Sequence, residues 1–217
     1  AAILALHRTQ WAGFRADLSD GDAVSGLLPQ VARHFGQAPD LVVNNASRFV
    51  HDDAASIGPA ELAAHHAVNV AAPVLLATNL AAMLAPGQSA SVVNITDQRV
   101  RHPNGDQLSY TLSKQALDAA TGTLALALAP RLRVNAIAPG LTLPTDDYRP
   151  AQMVALTEMM PLKRLPEPDE IADAVLWLAN AESVTGQTLY IDGGAALTRF
   201  ERDFVFLGSG RTDPAPQ

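Results

Sequence analysis

"SVVNITDQRVRHPNGDQLSYTLSKQALDAATGTLALALAPRLRVNAIA", residues 91–138, is the run from which the fold is read. It opens on an apolar strand (91–96), passes through a helix of about 107–129, and closes on a second apolar strand (133–138). Nearly continuous apolar strands separated by helices indicate a parallel sheet covered on both faces. Tyr110 and Lys114 stand four residues apart on one face of the intervening helix. Thirteen residues before the tyrosine, just past the first strand, comes Asp97.

Outward from this run the alternation continues. "GDAVSGLLPQVARHFG" (21–36) is an amphipathic helix that Gly36 can stop, and "DLVVNNA" (40–46) is a buried strand. An Ala-rich helix covers roughly 59–85, with Pro59 suited to its first turn. "PDEIADAVLWLAN" (168–180) leads into a last strand, "TLYIDG" (188–193). "AILAL" (2–6) and "AGFRADL" (12–18) read as two further strands. The whole predicts one α/β domain with a doubly wound, Rossmann-like parallel sheet over residues 1–194, then a tail, 195–217. That tail is expected to be extended and partly mobile, with Phe200, Phe204 and Phe206 docking on this subunit or a partner. A sheet of this kind should open on a strand and a Gly-rich turn, and neither is evident. "HRTQW" is also too short for a parallel crossover. The expectation is that an N-terminal piece is missing, and another between about Thr9 and Trp11.

Composition bounds the function. The chain has 217 residues, enough for one sizeable core. A net charge of −7 argues against a nucleic-acid or anionic-membrane surface. With no cysteine there is no disulfide framework or thiol chemistry, which fits a cytoplasmic location. The most apolar region, 62–86, is interrupted by His65, His66, Asn69, Pro73 and Asn79, so it does not read as a membrane span. His65 and His66 are adjacent and point to different helix faces, as packing or surface residues do. Asp52–Asp53 and Asp146–Asp147 fall in loops and read as solvated pairs. No metal-ligand set is present.

Four features fall in order along the chain: "NNAS" (44–47), Asn69, the Tyr110/Lys114 pair, and "APG" (138–140) with "VTGQTLYIDGG" (184–194) beyond it. Together they resemble the short-chain dehydrogenase/reductase family over nearly the whole sequence. The resemblance implies that Tyr110 donates a proton, that Lys114 lowers its pKa and holds the nicotinamide ribose, and that Asn69 anchors a water-linked proton path. The chemistry also stands alone, because an ammonium near a phenol favours the phenolate and brings its pKa towards neutrality. Further cofactor contacts implied are Asn45, Ala46, Ser47, Tyr110, Pro139, Gly140, Leu141 and Thr142.

Asp97 narrows the resemblance. The family's usual serine falls three residues after the strand asparagine, here Asn94, so Asp97 occupies its place. With "NNASRF" (44–49), the pattern is similar to the pteridine reductases, including dihydromonapterin and dihydrofolate reductases of the short-chain type. That implies substrate contacts from Ser47, Phe49, Asp97, Tyr110 and Leu143, with Phe49 stacked over a flat, electron-poor pterin. His7, Arg8 and Thr9 stand where an acidic residue would bind the ribose hydroxyls of NAD, and they suit the 2′-phosphate of NADPH. Asp17 and Leu18 are implied to hold the adenine. Residues 141–160 are expected to form a mobile flap over the substrate, with Leu141, Leu143 and Met153 as an apolar wall. The implied activity is NADPH-dependent reduction of a C=N bond in a dihydropterin or dihydrofolate, by a homotetramer with no nucleic-acid or membrane partner. A carbonyl reductase that carries Asp97, and an NADP-binding regulator without turnover, remain as alternatives.

Overall fold

The computed structural model describes residues 10–208. "AILAL" and the trio His7, Arg8 and Thr9 lie outside the described residues.

Helix α1, Gly21–Phe35, starts where the Asp20 carboxylate accepts the amides of Asp22 and Ala23, and stops at Gly36 in the left-handed region (φ 80°). Strand β1 follows at Leu41–Asn44. Helix α2, Pro59–His66, runs through a wider turn, Ala67–Ala71, into α3, Ala72–Met83. Pro73 causes the widening. It has no N–H to return to the Asn69 carbonyl, and the Ala72 amide bonds instead to Ala67, five residues back. Strand β2 (Ala90–Ile95), helix α4 (Leu108–Leu128) and strand β3 (Leu132–Pro139) follow as the expected strand, helix and strand. Then come α5 (Pro150–Met159), α6 (Pro168–Asn180) and β4 (Thr188–Ile191).

Among the described residues the sheet is fully parallel in the order β1-β2-β3-β4, with Asn44 opposite Asn94 and Ile95 opposite Ile137. Alternate residues of each strand serve opposite faces. Val92 and Val134 pack with Val24, Leu28, Leu76, Leu80 and Leu124 from α1, α3 and α4. Val93 and Ile137 pack with Ala174 and Leu178 from α6. Burying each such side chain contributes roughly 1.5–3 kcal/mol, which explains why the strands are apolar on both sides. By length and composition the run Pro59–Met83 is long enough to cross a bilayer. Here Leu76, Ala77 and Leu80 are buried in the sheet's own core.

Two expectations change. Residues 12–18 do not form a strand. No described strand offers them a ladder, and from Asp17 onward they turn to present the α1 cap, with the Asp20 amide bonding to the Asp17 carbonyl. The tail is not extended either. Its described part makes short 3-10 turns at Ala195–Leu197 and Phe204–Phe206 and docks on its own subunit. Phe204 is buried with Leu156, Met160 and Ala195, and Leu141, Tyr148 and Phe200 pack around them. The Gln152 side-chain amide clamps the segment by donating to the carbonyls of Phe204, Val205 and Leu207 at 3.1, 2.9 and 2.8 Å.

Candidate active site

Because the strands are parallel, the carboxyl ends of β1, β2 and β3 open on one side of the sheet, where α/β proteins bind ligands. Asn45, Ala46 and Ser47 leave β1 there and are exposed. Asp97 leaves β2, and Pro139 and Gly140 end β3. A Cβ on Gly140 would lie 2.8 Å from the Asp192 Cα, so only glycine lets β3 and β4 finish this close together. The chain then turns Leu141, Thr142 and Leu143 into a cavity of about 220 Å³, shared with Phe49, Asp97 and Tyr148. A cleft of equal volume beside Arg164, Glu170 and Tyr190 holds none of the acid–base groups selected from sequence.

Tyr110, 8% exposed, is not itself among the residues lining the cavity, but its hydroxyl donates to the lining Asp97, at Oδ2, across 2.9 Å. The other carboxylate oxygen, Oδ1, accepts the Arg99 amide at 2.9 Å and so caps the turn Gln98–Val100. Asp97 is therefore both a loop cap and the phenol's partner. Lys114 is 2% exposed, its ammonium lies 5.6 Å from the Tyr110 ring centroid, and it donates to the Ile95 carbonyl at 2.8 Å. Phe49, 43% exposed, meets the Tyr110 ring edge to face at 4.7 Å.

The electrostatics correct one expectation. The Tyr110 phenol is not drawn towards neutrality. Burial first, and then the Asp97 carboxylate, hold its pKa well above the ordinary value. Burial pulls the Lys114 ammonium down to about 8, against the opposing pull of Asp97. The opposing pull comes from the Arg99 guanidinium, 5.0 Å over the ring, and burial with the hydrogen-bonded Asp97 carboxylate prevails over it. Tyr110 is thus a neutral hydrogen-bond donor at physiological pH.

The Asn69 side chain is fully engaged within the protein. Its Oδ1 accepts from the Arg48 amide (2.7 Å) and the Ser47 hydroxyl (3.2 Å). Its Nδ2 donates to the Arg48 carbonyl (2.9 Å) and Ser113 Oγ (2.8 Å). All four hydrogen bonds of the amide hold the loop carrying Phe49 against α4. Arg48 adds a bidentate pair with Glu61, its Nη2 lying 2.9 Å from Oε2. His65 is buried and bonds through Nδ1 to the Glu61 carbonyl. Asp52 is half-buried and accepts the Ser109 amide at the start of α4, so it is a structural cap rather than a solvated group. Asp17 bonds to the Ser19 amide and hydroxyl, and Leu18 packs against the core; neither reaches the cavity. Met153 does not line it either, because α5 buries Gln152 and Leu156 instead.

Sequence reasoning missed Arg99, Tyr148 and Asp203, all of which line the cavity. Arg99 had a local signal, two residues past Asp97. Asp203 had none, since it lies in the tail.

A family model described as enoyl-(acyl carrier protein) reductase, of the short-chain dehydrogenase type, matches residues 2–196. The chain belongs to the short-chain dehydrogenase/reductase family. Among solved members of this family, it is similar to FolM alternative dihydrofolate reductase 1 of Brucella canis, solved in complex with NADP. The identity is 41% and the TM-score 0.85, over 91% of this chain and 78% of that one. Pteridine reductase 1 of Leishmania tarentolae is 32% identical over 81% of this chain and 68% of its own length. L-xylulose reductase of Caenorhabditis elegans is 36% identical over 70% of this chain and 64% of its own. Short-chain reductases with different substrates thus lie at similar distances, and overall identity does not choose among them.

Proposed function

We propose that this short-chain oxidoreductase is an NADPH-dependent pteridine reductase that reduces a C=N bond of a dihydropterin or dihydrofolate. The observation that carries this reading is the Asp97 carboxylate hydrogen-bonded to Tyr110 beneath Phe49, where a carbonyl reductase needs only a neutral hydroxyl. A pterin edge presents several N–H groups and acceptors, and a carboxyl group both accepts and donates as it gains or loses a proton. The NADP complexes of the Brucella FolM proteins support the cofactor. So does Lys114, a buried ammonium whose hydrogen bond to the Ile95 carbonyl occupies one of its three donors and leaves two suited to ribose hydroxyls.

Bound NADPH supplies the hydride. Tyr110, held neutral, passes its proton towards the ring nitrogen beside the reduced carbon, and Asp97 shares that proton across 2.9 Å. Phe49 gives the flat ring an aromatic face, and Leu141 and Leu143 close the apolar side. Since the Asn69 side chain is fully engaged, a water-linked proton path there runs past its main-chain carbonyl, which Pro73 deprives of the usual helical donor. Exposed Leu176 and Trp177 on α6 support assembly into a homo-oligomer, with the tetramer as the proposed state.

Two measurements test the reading. NADPH oxidation is followed with dihydrobiopterin, dihydromonapterin, dihydrofolate and a panel of ketones, and turnover with the pterins or dihydrofolate is expected. Turnover confined to ketones selects the second reading, a carbonyl reductase, which the likeness to L-xylulose reductase favours. The pH dependence of cofactor binding tests Lys114. Its ammonium is charged below about 8 and neutral above it, so NADPH affinity falls as pH rises through that value. The loss is about fivefold, the difference between a charged and a neutral hydrogen bond. Lys114→Met binds NADPH more weakly and without that pH step; a step that survives in the variant belongs to another group.

A further inference from the structure

We propose that Asp203, brought in by the C-terminal segment, acts with Arg99 as a positioning pair that holds the Asp97 carboxylate on the Tyr110 hydroxyl. The inference rests on the reading of Asp97 and Tyr110 as the proton-handling pair.

Arg99 lies between two carboxylates that are 106 positions apart in the numbering, Asp97 and Asp203. Its Nη2 donates to Asp203 Oδ2 at 2.7 Å, and its Nη1 donates to Gln107 Oε1 at 2.9 Å, with Thr111 Oγ1 at 3.5 Å. Its Nε is 3.3 Å from Asp97 Oδ1 but makes no hydrogen bond there, and the guanidinium sits 5.0 Å over the Tyr110 ring. Asp203 is 5% exposed and pinned from both sides. Its Oδ1 accepts the Val205 amide at 3.0 Å, and its own amide donates to Asp106 at 2.7 Å. Burial opposes the Arg99 charge, yet Asp97 and Asp203 more than offset it, so the group stays protonated.

The geometry divides the guanidinium's fork. Nε and Nη2 form the edge that normally grips one carboxylate with both oxygens. Asp203 takes Nη2, so Asp97 faces Nε alone, at a poor angle, and its second oxygen is left for Tyr110. Without the Asp203 charge, Arg99 closes on Asp97 with both donors and draws Oδ2 off the phenol. Stability gives little reason to keep such a pair, because a buried ion pair is commonly no better than apolar residues of similar size. Phe204 and the Gln152 clamp already dock the segment. The charge is explained by what it does to Asp97.

The test is a double-mutant cycle on turnover, run with whichever members of the pterin and ketone panel the parent reduces. Asp203→Asn keeps the shape and the cap on Val205 and removes the charge. Its kcat falls about tenfold, within the coupling range for residues of one network, with KM for NADPH unchanged. In an Asp97→Asn background the same substitution costs less than about twofold, because the residue it acts through is already lost. Arg99→Met combined with Asp203→Leu replaces the pair by apolar bulk, lowers the melting temperature by no more than loss of the Val205 cap and the Gln107 bond explains, and loses turnover to the same degree. Equal fold-losses in both backgrounds, or full activity in either the Asp203→Asn or the paired apolar variant, overturn the proposal. A parent that reduces only ketones defeats the pterin reading and leaves the cycle able to decide the role of Asp203. A parent that reduces nothing in the panel overturns both.

Discussion

Tyr110→Phe lowers turnover by about 10²- to 10⁴-fold, the span for a positioned general acid, while NADPH affinity stays near that of the parent. Phenylalanine keeps the ring, its edge contact with Phe49 and its place beneath the Arg99 guanidinium. Only the hydroxyl that donates to Asp97 is removed. Because burial and Asp97 hold this phenol neutral in the free enzyme, it enters the reaction with its proton in place. Single-turnover rates with NADPH and dihydropterin, beside cofactor binding measured by fluorescence, separate the chemical step from binding. A variant within tenfold of the parent shows that the proton arrives by another route.

Asp97→Ala cuts pterin reduction by about 10²-fold or more and leaves NADPH binding largely intact. This substitution removes two things at once, the cap on the Arg99 amide and the partner of Tyr110. Asp97→Ser separates them. Serine accepts the amide at a turn start nearly as well as aspartate, so the loop remains ordered, but it brings no carboxyl group to the phenol. The serine variant is expected to match the parent in melting temperature, to fail with pterins, and to admit weak ketone reduction. Pterin turnover at the parental rate in this variant means that the carboxylate serves only the loop, and the pteridine reading then loses its main support.

The secondary structure was legible wherever the apolar period was long and the caps were local. Helix α1 was bounded in advance at its end by Gly36, and β2, α4 and β3 fell within a residue or two of their expected limits. The helix at Pro59–Met83 was also anticipated, but its widened turn at Ala67–Ala71 was not, although Pro73 carried the signal in the sequence. Residues 12–18 were misread because an apolar run is a strand only when a neighbour supplies the ladder, and that neighbour is a property of the assembled sheet. The tail was misread for a related reason. Its phenylalanines announced docking, yet the turns they adopt are set by Gln152 and Asp106, which receive them.

In the site, Asp97, Tyr110 and Lys114 were singled out by position along the chain and Phe49 by the family resemblance, and the fold brings the four side by side. Each lies on a strand end, a helix face or a short loop, where local geometry dictates direction. The sequence by itself determined the doubly wound α/β class, the one helix face shared by the phenol and the ammonium, and the carboxyl group in place of a hydroxyl beside them. Only the tertiary structure decided the state of those groups. The proton stays on Tyr110 because burial and a 2.9 Å contact with Asp97 outweigh the Arg99 guanidinium 5.0 Å over the ring, and no spacing rule contains those distances. Tertiary structure likewise brought Asp203 to Arg99, a contact across 104 residues that exists only once Phe204 has been buried against α5. Charges act through space and through the dielectric around them, and both come into being when the chain has folded.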